Sequence, residues 1–192
     1  MKLIFLLAGV AGIAYCQNSD LGLLLGVSVS VHNTSPGMIV NTSVHGGGQI
    51  NYAVQLHETV AGRLYLELPL VLTGGSAVTI APGVVSTSSS DTVFFTPGVR
   101  WKFSPANRLS FYAAVGGGIG SFDRNLVNVG KGGVSITKGR TTVGALGFGG
   151  GIDFRLTRLM SLRAEVRDTV AHGYVDGAAH HAIFMIGAGL HF

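Results

Sequence analysis

The sequence is nearly free of cysteine. Cys16 is the single one among 192 residues, and it sits in the N-terminal apolar stretch. Disulfides and thiolate metal sites are therefore excluded for everything that follows it. Charged residues are scarce too, at 11%. Past the N-terminus no run of about 18 uninterrupted apolar residues occurs, so no transmembrane helix is evident. The basic excess is only +4. Its residues are scattered and not interleaved with exposed aromatics, so no nucleic-acid partner is expected. Yet 47% of residues are hydrophobic and the mean hydropathy is +0.46. Such a balance, without a membrane helix, fits a transmembrane β-barrel, where every second residue can be polar.

The opening stretch "MKLIFLLAGVAGIAYC" has one Lys, an apolar middle and small residues near its end. It reads as a secretory signal peptide over residues 1–16. Cleavage is expected before Gln17, with Ala14-Tyr15-Cys16 as the recognised site. The alternative makes Cys16 a lipid-modified cysteine, with Tyr15 bulky where a small residue is preferred. Residues 17–192 form the mature domain.

That domain divides into eight alternating segments, near 20–31, 49–57, 63–72, 92–103, 108–121, 142–155, 160–169 and 181–192. Neighbouring strand residues point to opposite faces. In "RLYLELPLVL" the leucines 64, 66, 68, 70 and 72 share one face, against Arg63, Tyr65, Glu67 and Pro69. In "DLGLLLGVSVSV" Leu24 is the apolar residue on the polar parity. Across the segments Arg63, Glu67, Arg100, Lys102, Asp153, Arg155, Arg163, Glu165 and Arg167 fall on one parity, and no charge falls mid-segment on the other. A lipid-facing Arg or Lys costs about 2–4 kcal/mol near the bilayer midplane. A soluble barrel has the reverse arrangement, apolar inside and charged outside. The expected fold is an all-β, eight-stranded antiparallel up-and-down transmembrane barrel.

The connections alternate. "HETVAG", "SPAN" and "TR" are short, whereas "TGGSAVTIAPGVVSTSSS" and "DRNLVNVGKGGVSITKGRT" are long. Short turns on one side and long loops on the other are expected of an outer-membrane barrel, with both termini on the short-turn, periplasmic side. The last segment then pairs with the first and removes both edges. Pro69 and Pro97 break the pattern and predict a bulge in the upper half of the hairpin of the third and fourth segments, the alternative being shorter strands.

The stretches "VRWKFSPANRLSFYAAVGGGIG", "DFRLTRLMSLRAEVRD" and the closing "GLHF" resemble the small OmpA/OmpX-like barrels of Gram-negative outer membranes. The resemblance runs from about residue 20 to 192. It implies an integral outer-membrane location and an assembly signal read by the barrel assembly machinery. In this chain that signal would be Phe192 with Leu190, Ala188 and Ile186. Larger members carry a peptidoglycan-binding domain after the barrel, an anchoring role not expected here.

Chemistry is thin by comparison. His180 and His181 are adjacent and so face opposite ways, which argues against a shared metal site with His172. "HETV" lacks the second His of a zinc-protease helix. "GGGIG" and "GFGGGID" precede no helix that could hold phosphate; their expected use is to make room for inward Arg, Lys and Tyr. The inward charges are expected to neutralise one another in a side-chain-filled lumen, since an unpaired buried charge costs several kcal/mol. Glu67 and Glu165 are expected to pair with Arg100 and Arg163. Neither a catalytic set nor a cofactor is expected. The loop at 123–141, with Arg124, Lys131, Lys138 and Arg140 against Asp123, is expected to meet lipopolysaccharide phosphates. The sequence therefore favours a non-enzymatic, monomeric barrel acting through its long loops or serving envelope integrity. The alternatives are a narrow pore and a lipid A-modifying enzyme. For the latter the resemblance implies an outward His, Ser and Glu near the C-terminus, which the last three segments lack.

Overall fold

Alternation of this kind demands a sheet with two unlike faces. The computed structural model forms one from nine antiparallel strands. It describes residues 18–34, 39–81, 84–103, 108–130, 133–175 and 177–192. The strands are β1 (Ser19–Thr34), β2 (Ile39–Thr59), β3 (Gly62–Ala81), β4 (Val84–Phe95), β5 (Gly98–Phe103), β6 (Leu109–Gly130), β7 (Gly133–Arg155), β8 (Met160–Val175) and β9 (Gly177–His191). The expected signal peptide, its expected cleavage site and Cys16 lie outside the described residues, as does Lys131.

The sheet closes on itself. β1 pairs with β9 from Asp20 opposite His191 to His32 opposite Ala179. At the seam Ser19 N donates to Phe192 O at 2.7 Å, and Phe192 N to Ser19 O at 3.0 Å. The remaining ladders join each strand to its neighbours around the ring. Each described strand has a neighbour on both sides, as lipid requires of a spanning sheet.

The ninth strand is half of one expected strand. β4 and β5 both pair with β3 on one side and β6 on the other. They are a single stave interrupted at Thr96-Pro97. The expected bulge does not form there. Leu70 faces Phe95 above the gap and Glu67 faces Gly98 below it, so the register is unchanged. Pro97 has no N–H to give the ladder, and Pro69 lies opposite the same gap, so two missing donors fall at one place. The carbonyl of Pro97 still accepts from Gly117 N at 3.0 Å.

The expected long loops are a second correction. β6 and β7 pair without a break from Leu109 opposite Phe154 to Gly130 opposite Gly133. Residues 123–141 are thus mostly hairpin, turning at Gly133, whose φ of +119° suits only glycine. β3 and β4 likewise stay paired out to Ala81 opposite Val84. The reason is local. Val127, Val129, Val134 and Ile136, like Val78, Ile80, Val84 and Val85, are β-branched residues that favour a ladder over a loop.

The outward face is apolar. Leu25 is 74% exposed and Leu146 64%, and Phe95, Phe111, Val115, Phe148, Phe184 and Ile186 are exposed around the same wall. Patches of this extent do not face water in monomeric proteins. The inward residues are the buried ones, which locates the functional question in the lumen and at its two ends.

Candidate functional site: the barrel lumen

The half of the lumen nearer the termini holds an ion-pair network. Its cations are Arg100, Lys102, Arg163 and Arg167, and its anions Asp20, Glu67, Asp153 and Glu165, all at most 3% exposed. Four charges of each sign make it neutral.

Arg163 is the hub. Its Nη2 donates to Asp20 Oδ2 at 2.7 Å and to Oδ1 at 3.0 Å. Its Nε donates to Asp153 Oδ1 at 2.6 Å. Asp153 stands directly across from Arg163 on β7 and also takes the Lys102 ammonium at 2.5 Å. Arg167 is a second clamp, 2.5 Å from Glu67 and 2.8 Å from Glu165. Asn51 donates to Glu67, while Gln49 and the Tyr112 hydroxyl donate to Glu165. Arg100 lies between the Tyr65 and Tyr112 rings, 5.3 and 5.2 Å from their centroids, and 3.3 Å from Asp20.

Both glutamates therefore pair with Arg167, rather than with Arg100 and Arg163 as expected. Parity fixes the face on which a side chain lies, not its height in a tilted, staggered barrel. Arg163 sits at the height of Asp153 and Asp20, and Arg167 lies four residues further along β8. Asp20 is the anion that sequence reading missed. It has the inward parity of Gly22 and Ser28, the signal that places it, and is the first residue of its segment. Arg63 and Arg155 stand at the rim, Arg63 paired with Glu58 at 2.8 Å.

Glycines make room for this network. A Cβ on Gly22 would come within 2.9 Å of Arg163 Nη1, and one on Gly151 within 2.5 Å of the Tyr112 hydroxyl. Both glycine-rich runs lie within strands, in β6 and β7.

Above the network an apolar cluster lies in the lumen among buried Ser28, Thr92 and Thr169. Leu24, Val71, Phe94, Phe122, Ile183 and Met185 form a buried cluster. Phe94 and Phe122 meet edge-on at 5.5 Å. These residues lie on the inward parity, so the sequence signal was their exception to the polar pattern, as with Leu24. His181 closes this tier, bonded to Ser30 at 2.7 Å and stacked near Phe94. His180 faces outward and meets Asp168 at 2.8 Å, so the two histidines do diverge. The pair near the far end of β8 and β9 is an outward charge that segment reading did not single out.

At the hairpin end Arg140 is 3.4 Å from Asp123, and Lys138 is exposed. Asp91 joins Asp123, Lys138 and Arg140 around a shallow cleft of about 430 Å³. The expected cation excess there is therefore smaller than a count against Asp123 suggests. Arg124 lies in β6 opposite Gly139.

Residues 3–192 match the family model described as outer membrane protein beta-barrel domain. No curated protein sequence matches the chain. Among solved structures, the attachment invasion locus protein Ail of Yersinia pestis, in complex with the heparin analogue sucrose octasulfate, is similar. It shares 14% identity at a TM-score of 0.53, over 91% of this chain and 99% of that one. Neisserial surface protein A shares 12% at 0.51, over 91% and 96%. The outer membrane protease OmpT of Escherichia coli shares 9% at 0.55, over 91% and 96%. Identities this low carry the fold alone, and the fold is found in a protease and in a surface protein alike.

Proposed function

Because this chain belongs to the outer membrane protein β-barrel domain family of bacterial outer membranes, we propose that it is a closed, non-enzymatic barrel acting through its far-end hairpins. One observation carries the reading: the lumen is filled twice over. A neutral ion-pair network occupies the half near the termini, and the Phe94–Phe122 tier lies above it. Eight staves leave little more than side-chain room inside. The surfaces that remain are the lipid-facing wall and the two ends.

On this reading the termini lie in the periplasm and the hairpins outside. The barrel is a monomer, assembled by the barrel assembly machinery through its C-terminal Ile186, Ala188, Leu190 and Phe192. Arg124, Lys131, Lys138 and Arg140 contact lipopolysaccharide phosphates, with Asp91 and Asp123 tempering their charge. Such contacts weaken with salt, because exposed charges are screened over about 10 Å at 0.1 M. The role is surface interaction or envelope integrity. A narrow pore is opposed by the apolar tier. Lipid A modification is the second reading, favoured by the outward His180–Asp168 pair alone.

Refolded barrel tests all three. Wild type should bind lipopolysaccharide in a salt-sensitive way, and the fourfold Gln variant at 124, 131, 138 and 140 should bind several-fold more weakly. It should leave a planar bilayer silent and lipid A unchanged by mass spectrometry. Unaltered binding in the variant, steady conductance, or a new lipid A product would each overturn the corresponding part.

A further inference from the structure

We infer that the free edge of β7 at the hairpin end takes up an extended strand of a partner polypeptide, one that sets apolar side chains against Val134 and Ile136 and an acid against Lys138. Within the barrel wall β7 lies between β6 and β8, but its ladder to β8 begins only at Gly144, opposite His172. From Val143 out to Gly133 its partner among the described strands is β6 alone. Every residue from Gly133 to Thr142 is exposed, whichever face its side chain takes. A strand edge left open over this length is a template for another strand.

The register tells which groups line that edge. Arg155 N donates to Arg108 O at 2.7 Å, so the odd-numbered residues at the base of β7 bond toward β6. No bulge interrupts the β6–β7 ladder out to Gly133, and alternate residues of an antiparallel strand bond to opposite sides. The N–H and C=O groups of Val134, Ile136, Lys138, Arg140 and Thr142 therefore point away from β6, at a repeat of about 6.7 Å. An extended backbone matches such a row of donors and acceptors. The side chains of the same residues set its sequence. Val134 and Ile136 are exposed apolar residues. Lys138 stands across from Asn125, whereas Arg140 stands across from Asp123, 3.4 Å away. An acid on the added strand opposite Lys138 completes a cross-strand pair. A second copy of the chain fits worse. Two barrels in one membrane, related by a two-fold along its normal, bring these edges together parallel, with Lys138 beside Lys138 and Arg140 beside Arg140, and like charges so placed are destabilising. The inference rests on the reading that the far-end hairpins are the acting surface, and it names the chemistry of their partner.

The probe is the synthetic peptide Thr-Thr-Gln-Thr-Glu-Thr-Val-Thr-Val. Antiparallel to residues 134–142, it sets its Glu opposite Lys138 and its valines opposite Ile136 and Val134. End-labelled peptide is titrated with refolded barrel in neutral detergent free of lipopolysaccharide, followed by fluorescence anisotropy, and saturable binding is expected. Peptide N-methylated at the Glu and the valine nearest it loses the N–H groups that face the edge and should bind about tenfold more weakly. N-methylation of the two threonines that flank the Glu should change affinity less than about twofold, because those groups face away. Ile136→Pro removes an edge donor and leaves the β6 ladder whole, so it should weaken binding about tenfold. Ile136→Ala keeps the donor and should weaken it about threefold. Absent saturation, equal affinity of the two N-methylated peptides, or an Ile136→Pro barrel that binds as well as Ile136→Ala would overturn the edge site. Self-association of the wild type that Ile136→Pro abolishes would make a second copy the occupant and overturn the assignment to a partner. Lipopolysaccharide binding is measured separately, so its loss with peptide binding intact tells against the proposed function and not against the edge.

Discussion

Replacing Arg163 by Met tests whether the network is held by mutual neutralisation. Met keeps much of the side-chain length and removes only the guanidinium. In the wild type that group donates two bonds to Asp20, at 2.7 and 3.0 Å, and reaches Asp153 at 2.6 Å. Without it, four buried acids face three cations. Asp153 keeps Lys102 at 2.5 Å, but Asp20 is left with Arg100 at 3.3 Å and His191 at 3.4 Å. Removing one partner of a buried pair costs about 3–5 kcal/mol. Lumen water that reaches the orphaned carboxylate would lower this, so a loss near 3 kcal/mol is expected. Adding Asp20→Asn restores three charges of each sign, and the double variant should recover about half of the loss. The assay is urea unfolding of the barrel in lipid vesicles, followed by the fluorescence of Trp101, the chain's single tryptophan. A loss under about 1 kcal/mol for Arg163→Met, or a double variant less stable than the single, would refute mutual neutralisation as the organising principle.

Two further outcomes follow from the other surfaces. Phe94→Ala should cost about 3–5 kcal/mol through the cavity it leaves in the apolar tier. It should also raise planar-bilayer conductance above the silent wild type, while an equally silent, equally stable variant would show that the tier is not a seal. Leu25→Arg, placing a charge on the outward face at a site 74% exposed, should destabilise the barrel in vesicles by about 2–4 kcal/mol. The same change in detergent-free urea titrations should leave it inserted poorly, and unchanged vesicle stability would contradict a lipid-facing wall.

Much of this protein could be read from its residues in order. Alternation is a property of the strand itself, so it assigned Leu64 to Leu72 outward and Glu67, Arg100 and Arg163 inward with no knowledge of neighbours. The same parity separated His180 from His181. The scarcity of outward charge then identified lipid as the outer solvent, because only lipid penalises Arg or Lys on that face. Even the closing "GLHF" announced a strand that needs a partner, met at Ser19. Tertiary structure decided what period two cannot encode. Height in the barrel depends on tilt and stagger between strands distant in sequence. That is why Arg167, and not Arg100 or Arg163, holds both glutamates, and why Asp20 at a segment's edge became an acceptor for the central arginine. The buried cluster of Phe94, Phe122 and Ile183 exists only where strands β4, β6 and β9 bring three exceptions to the polar pattern to one level. The hairpin over 123–141 needs both: its β-branched residues favour a ladder, and continuous pairing between β6 and β7 supplies the partners.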